Sequence, residues 1–474
     1  MSSRRSFLKN VSFSTGALAG LPAFMSEETP HPLAGKKPKF NMCGYQAPKL
    51  ETVRVGIIGL GMRGPGAVER ISFIEGASIV ALCDKLPERA AAAQKYLTDK
   101  GLSKAVEYSG EDGWKALCER NDIDLVYICT PWHLHTPMAV YAMKNGKHAA
   151  VEVPAALTLD ECWELVETSE KTKKHCMMLE NCCYDFFEAL TFAMAQKGLF
   201  GELIHAEGAY IHDLVSLNFS KNGYENMWRL RENAKRNGNP YPTHGLGPIA
   251  QCLNINRGDN FDYMVSMSTN DFMMQAKAKE LAAQDEFFKE FENHTYRGNM
   301  NTTLLRTHFG KTLMVQHDVT SPRPYSRIHL LSGTKGVASK WPSPERIAFG
   351  HSWLKSEQLQ DLYKEHTPEL IKHVGDIAKQ IGGHGGMDFI MDWRLIDCLR
   401  NGLALDQDVY DAASWSAVVH LSNQSVSKRS RPVDVPDFTR GNWKINKPVD
   451  LGLRGGGNTS VRSKAPKPEG QISL

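Results

Sequence analysis

No Cys-x-x-Cys occurs in this chain, and there is no long uninterrupted apolar run and no large excess of either charge. Each lack excludes a class. Ten cysteines without metal-ligand spacing form neither a zinc framework nor a disulfide scaffold, and the adjacent Cys182 and Cys183 cannot pair without strain. Cys83, Cys129, Cys162 and Cys176 sit in apolar stretches, where Cys acts as a small hydrophobe. The pattern is that of a protein folded under reducing conditions. Lys and Arg number 56 against 53 Asp and Glu, a net charge of +3. Arg4, Arg5 and Lys9 stand in a leader without acids, so the remainder is nearly balanced. A nucleic-acid binder carries a basic working domain, and none is visible. With 42% hydrophobic and 23% charged residues, disordered, collagen-like and polytopic membrane chains are excluded. At roughly 150 residues per domain, 474 residues predict about three units, or two larger ones with tails.

What is present begins at the N-terminus. Ser3-Arg4-Arg5-Ser6-Phe7-Leu8-Lys9 precedes a mild apolar run, which resembles a twin-arginine export signal over residues 1–30. The run is too short and too rich in Gly and Ser for stable membrane insertion. The twin-arginine machinery carries folded proteins, so the expectation is folding in the cytoplasm and work in the periplasm. Residues 31–51 are expected as a linker.

From Thr52 the pattern becomes strand and helix in alternation. Strands are expected at VRVGIIGLG, SIVALC, DLVYICTP, HAAVEVP and HCMMLEN. Helices are expected at 67–75, 88–99, 114–119, 137–144 and 159–171. This predicts an α/β, doubly wound parallel sheet of Rossmann type over 52–183. Residues 184–453 read differently. After a helix at 186–197 come the alternating runs ELIHAEGAYIH, YMVSMST, NTTLLRTHF, KTLMVQHDV and RIHLLSG. They predict an α+β domain with an open, mostly antiparallel sheet, the last three runs forming a meander. Late helices at 388–400 and 409–425 could pack back on the first domain. Residues 454–474 are expected as a flexible tail.

Gly59-Leu60-Gly61-Met62-Arg63-Gly64 is a GxGxxG following a strand and opening a helix, the context that makes this motif specific for a dinucleotide. Gly59 allows the tight turn, Gly61 lets the backbone approach a pyrophosphate, and Gly64 brings the helix close to the strand. Asp84 ends the second strand, where an acid accepts from the ribose hydroxyls and repels a 2′-phosphate. NAD is therefore expected rather than NADP, although Asp84 also suits an ordinary turn. Trp132-His133-Leu134-His135 follows the strand ending at Pro131. The two histidines lack a regularly spaced third ligand, so no metal is expected, and cofactor contacts suit the segment better.

This combination resembles the Gfo/Idh/MocA oxidoreductase superfamily over about residues 52–435. Many of its dehydrogenases end the fifth strand with Glu-Lys-Pro, whose Lys moves the substrate hydroxyl proton. Here the triplet is Glu152-Val153-Pro154, and valine carries no proton. The remaining signatures are similar to glycoside hydrolase family 109, the NAD-dependent α-N-acetylgalactosaminidases. They are Met62-Arg63-Gly64, Trp132 to His135, Glu152-Val153, Leu179-Glu180-Asn181 with Tyr184, Tyr210-Ile211-His212-Asp213 and Trp228-Arg229. Tyr241-Pro242-Thr243-His244-Gly245, Arg323-Pro324-Tyr325 and Gly382 through Asp388 complete the set. The resemblance implies cofactor contacts from Met62, Arg63, Asp84, Trp132, His133, Leu134, His135, Glu152, Val153 and Asn181. It implies sugar contacts from Tyr210, Arg229, Tyr241, Pro242, Thr243, His244 and Tyr325, with His244 catalytic.

The chemistry implied is hydrolysis without the usual carboxylate pair. NAD⁺ oxidises the sugar at C3, a base removes the acidified C2 proton, the aglycone leaves C1, water adds, and hydride returns to C3. His244 has an intrinsic pKa suited to the base, and the Gly and Pro residues around it are expected to form a rigid loop. Tyr184, Tyr241 and Tyr325 could donate to developing oxyanions, and Arg229 could hold hydroxyls. Any one Tyr could instead pack in the core. His384, in a glycine loop, could line the pocket or cap the following helix. The alternative is an exported sugar oxidoreductase of the glucose–fructose type with tightly held cofactor, against which stand Val153 and Asp84. The partner implied is a glycan or glycoside, with no nucleic acid. By analogy with open-sheet domains of the superfamily, the chain is expected to be a homo-oligomer.

Overall fold

The computed structural model describes residues 31, 32, 36–38 and 40–462, and the expected export signal lies outside them. From residue 36 onward the described chain belongs to one compact unit. Among the described residues no helix is long and apolar enough to cross a membrane.

Six strands form the first sheet: β1 (Val53–Ile58), β2 (Ala77–Asp84), β3 (Val106–Ser109), β4 (Leu125–Ile128), β5 (His148–Val151) and β6 (Cys176–Met178). All pair in parallel, in the order β3-β2-β1-β4-β5-β6. The runs LVYI and HAAV are buried end to end, as strands covered by helices on both faces must be. The order reverses between β1 and β4, which opens a crevice at the carboxyl ends of the strands. β3 was not expected: VEYS is only four residues long and largely exposed, too short a run for its alternation to stand out. The helix Leu159–Thr172 starts at a capping box: the Glu161 amide donates to Thr158 Oγ1 at 3.2 Å and the Thr158 amide to Glu161 Oε2 at 3.0 Å.

The second sheet has eight strands: β7 (Leu203–Ile211), β8 (Phe261–Ser268), β9 (Asn301–Thr307), β10 (Thr312–Asp318), β11 (Leu330–Gly333), β12 (Val337–Ser339), β13 (Arg346–Ala348) and β14 (Val433–Asp434). Their order is β13-β12-β11-β7-β10-β9-β8-β14. All pairs are antiparallel except β7 with β10. The expected meander is corrected here. β9 and β10 form the hairpin at Gly310, but the chain then crosses over β7, so β11 (in RIHLLSG) pairs with β7. Adjacency in sequence did not reveal a long-range strand wedged between the two.

Late helices Met387–Asn401 and Val409–Ser427 are buried along nearly their whole length. The first is fastened to the parallel sheet by Asp392, which accepts from Arg70 Nε at 2.7 Å and from the Tyr127 hydroxyl at 2.8 Å. Parts of the expected linker and tail are also packed. Met42 is buried and its amide donates to the Tyr410 hydroxyl, while Val461 bridges Ile74 and the Thr459 hydroxyl donates to Asp397. Polar composition did not reveal these partners, which lie from about sixty to nearly four hundred residues away in sequence.

Candidate active site

Gly59 has φ +87°, and a Cβ there would lie 2.7 Å from the Cys129 carbonyl carbon. At Gly64 a Cβ would lie 2.1 Å from the Gly59 carbonyl oxygen, so the helix Gly64–Ser72 can start only on a glycine. Gly61 is different. A Cβ there would meet nothing nearer than Arg89 Nη1 at 3.7 Å. Its open face is a cradle fit for a pyrophosphate, beside a helix N-terminus. Asp84 is buried, accepting from the Leu60 amide at 2.6 Å and the Leu86 amide at 3.0 Å. One lone pair on each oxygen remains for ribose hydroxyls. Arg89 lies 3.6 Å from Asp84 and pairs with Glu225 at 2.7 Å.

Arg63 binds Glu152 at 2.8 Å and Asp388 at 3.1 Å, and Asp388 also accepts from Asn181. Burial alone would raise the Asp388 carboxyl, but Arg63, His384 and Arg70 hold it well below the usual carboxylate range. His384 joins this cluster through Asp388 at 2.9 Å, with its side chain more than half exposed. Thus the glycine turn, the ends of β5 and β6 and the Gly382–Asp388 segment meet around one ionic knot. Val153 is buried and Met62 exposed. His133 is exposed and Leu134 half-buried. His135, an expected cofactor contact, has its ring engaged within the protein. It is buried with its ring nitrogens 2.7 Å from the Pro154 and Thr130 carbonyls, so the ring is spent joining two loops.

The residues expected to bind sugar form an aromatic enclosure. The Tyr210 ring stands 4.9 Å from Tyr241, 5.4 Å from His244 and 6.1 Å from Tyr325, and His212 adds a ring 5.1 Å from Tyr325. Trp132, from beyond β4, stacks on Tyr241 at 5.6 Å and meets Trp228 at 5.1 Å. Arg229 lies over the rings of Tyr241, Trp132 and Tyr224 and donates to the Tyr224 hydroxyl at 2.7 Å. Its Nη2 is buried without a hydrogen-bond partner, a donor left for a ligand oxygen. Burial pushes the hydroxyls of Tyr210, Tyr241 and Tyr325 above their usual range, so they remain donors through neutral pH. Burial and Arg229 together lower His212, which keeps its ring neutral.

His244 is not on a loop. Thr243–Cys252 is a helix, and His244 stands in its first turn. Helix formation across Gly245, Gly247 and Pro248 was not legible from propensity. Tertiary packing explains it. A Cβ on Gly245 would lie 2.3 Å from the Ala209 amide nitrogen, and one on Gly208 2.1 Å from the Gly245 oxygen, so the paired glycines let this helix lie directly on β7. Pro242 and Thr243 begin that helix and are buried. For Tyr184 the structure favours the core-packing alternative. It is wholly buried, and its hydroxyl donates to Asp406 at 3.3 Å, beside Arg394. Its proton is committed to the core.

Glu180 and Trp228 appeared in the sequence only as parts of signatures and were not assigned a role. Glu180, two residues beyond β6, is fully buried with its Oε1 2.7 Å from His244 Nδ1. Cys182 completes a group of three possible metal donors lying within 4.8 Å of one another. The Glu180–His244 contact already engages two of the three.

The site is therefore that of a dinucleotide-dependent oxidoreductase fold whose second domain has been furnished with an aromatic, histidine-bearing pocket. A model of the oxidoreductase family with NAD-binding Rossmann fold matches residues 53–180, and one described as glycosyl hydrolase 109, C-terminal domain, matches 184–445. The chain belongs to glycosyl hydrolase family 109. It is 50% identical over 420 residues to an α-N-acetylgalactosaminidase of Bacteroides fragilis, covering 87% of this chain and 98% of the relative. It is 52% identical over 413 residues to glycosyl hydrolase family 109 protein 1 of Phocaeicola vulgatus, covering 84% and 86%. Among solved structures it shares its fold with a levoglucosan dehydrogenase in complex with NADH and levoglucosan. That match has TM-score 0.60 at 19% identity, over 81% of this chain and 100% of that one.

Proposed function

We propose that this protein hydrolyses terminal α-N-acetylgalactosaminides, with NAD held at the Gly59–Gly64 turn and restored at each turnover. The observation that carries the reading is the placement of His244 among Tyr210, Tyr241 and Tyr325, beside residues from the carboxyl ends of β4 and β6. Bound NAD would supply a reversible hydride acceptor at the sugar C3. The chain's own residues do the rest. Asp84 holds the ribose and its charge selects against a 2′-phosphate. Arg229 and the tyrosine hydroxyls hold sugar oxygens and steady the negative charge that develops beside C2. His244 takes the C2 proton and later returns it. Val153 leaves the position of the superfamily's lysine without a proton carrier, which favours elimination with the histidine as base over simple dehydrogenation.

The same reading includes export through the twin-arginine signal over residues 1–30 to the periplasm, where a cofactor restored at every turnover is not exhausted. It also includes self-association through the outer face of the second sheet, where Tyr263, Met267 and Leu304 are exposed. Light scattering of the purified protein tests the association, and fractionation of expressing cells tests the export. The hydrolase reading is tested with aryl N-acetylgalactosaminides and protein as purified. Hydrolysis without added cofactor is expected, and His244→Gln should lower turnover by roughly 100-fold or more while NAD stays bound. Stoichiometric sugar oxidation without aglycone release would overturn it.

A further inference from the structure

We propose that Glu180 is the positioning residue of His244: its buried carboxylate fixes the proton of the neutral ring on Nδ1, presents Nε2 as the base, and steadies the imidazolium formed during turnover. The inference rests on the function proposed above and names a residue that reading does not use.

Four observations carry it. Glu180 Oε1 lies 2.7 Å from His244 Nδ1, with the carboxylate side chain fully buried and the ring nearly so. Among the described residues His244 is the ion-pairing partner of Glu180, so an otherwise costly buried charge is matched by this one ring. The residue is also anchored on its own side: the Cys182 amide donates to Oε1 at 3.1 Å, and the Gln407 side chain donates to the Glu180 main-chain carbonyl at 2.9 Å. Finally, the helix carrying His244 is shaped to admit it. A Cβ at Gly247, one turn after His244, would lie 2.8 Å from Glu180 Cγ. Glycine at that position makes room for the glutamate stem.

The tautomer follows from donor counting. An ionised carboxylate only accepts, so the ring nitrogen facing it must donate. Burial would raise the Glu180 carboxyl, but the charge of His244 and the hydrogen bonds from His244 and Cys182 bring it below its ordinary value. With Nδ1 protonated, Nε2 holds the free lone pair. On a sugar oxidised at C3, Nε2 takes the C2 proton, the C2–H electron pair forms the C1=C2 bond, and the aglycone leaves C1 with its bonding pair. The imidazolium that results lies against a full negative charge, the arrangement that makes an acid–histidine pair an effective base. Other titratable groups near the ring are Tyr210 and Tyr241, with Cys182 beside the carboxylate and His212 and Arg229 beyond.

The test is Glu180→Gln in the full protein with bound NAD. Turnover should fall by roughly 100-fold or more, with KM and cofactor occupancy little changed. The acid limb of the kcat profile should move to lower pH, because the imidazolium loses its counter-charge. A loss from general disruption would not move that limb. Separately, nitrogen NMR of ¹⁵N-histidine-labelled protein, with the His244 signal assigned by its loss in His244→Gln, reads the tautomer without turnover. The Nδ1–H form is expected in wild type, and a mixture in Glu180→Gln. An Nε2–H ring in wild type overturns the proposal even if the variant does not fold. Wild-type turnover and an unmoved acid limb in a folded Glu180→Gln overturn it equally. Absence of hydrolysis by wild type with the Nδ1–H tautomer intact would count against the function proposed, not against the pairing.

Discussion

Placing one methyl group at two positions of the same turn separates folding from cofactor binding. At Gly64 an added Cβ would stand 2.1 Å from the Gly59 carbonyl oxygen and 3.0 Å from its carbon, both backbone atoms that cannot swing aside. Relief requires the helix Gly64–Ser72 to move off the strand by about an ångström, and overpacking of this kind costs on the order of 1–3 kcal/mol. At Gly61 the added Cβ meets only the end of a flexible arginine side chain at 3.7 Å, and φ is not in the left-handed region. Gly61→Ala should therefore fold at least as well as wild type, and restricting the unfolded chain adds about 0.4–1 kcal/mol of stability. The methyl does, however, fill the cradle. Separating a pyrophosphate from the turn amides forfeits a charge-assisted hydrogen bond of about 1.5–3 kcal/mol, or roughly 10- to 100-fold in NAD affinity. Thermal denaturation and calorimetric titration of NAD into cofactor-stripped protein read the two effects. The expected pattern is lower stability for Gly64→Ala, and undiminished stability with weakened NAD binding for Gly61→Ala. Undiminished NAD affinity in Gly61→Ala would place the dinucleotide elsewhere.

Asp84→Asn keeps an acceptor for only one of the two turn amides, turns an NH2 toward the other and removes the charge, so it should weaken NAD by at least about 1.5–3 kcal/mol and narrow discrimination against NADP, measured by titrating both. His329 is buried with Nε2 2.8 Å from the Thr191 hydroxyl, and burial, then Lys340 and Arg327, lowers it to about 3. Between the unfolded value of about 6.5 and that level the unfolded chain binds the extra proton. This group's stabilising contribution is thus complete above the window and falls with pH by about 1.4 kcal/mol per unit within it. Denaturant unfolding from pH 6.5 to 4.5 should show a shallower slope in His329→Gln than in wild type, and identical slopes would refute the assignment.

Much of the parallel sheet was legible because buried strands are continuous apolar runs and helices announce themselves by caps and period. VRVGII, LVYI and HAAV could hardly be anything else beside a glycine turn. The signatures around Tyr210, Arg229, Tyr241, His244 and Tyr325 were likewise readable as a set, by resemblance. What sequence could not supply was anything decided by distant partners. Thr243–Cys252 is helical despite two interior glycines and Pro248 because Gly208 and Gly245 allow it to rest on β7. β11 lies beside β7, and the order of the chain carries no mark of that pairing. Tyr184 belongs to Asp406, more than two hundred residues later, and Glu180 gains its meaning only from His244. Local pattern determines which segments can be strand or helix, since backbone geometry and side-chain period act within a few residues. Which polar groups are left to a ligand, and which are consumed in the core, is settled only when the folded chain pairs every buried donor and acceptor it can.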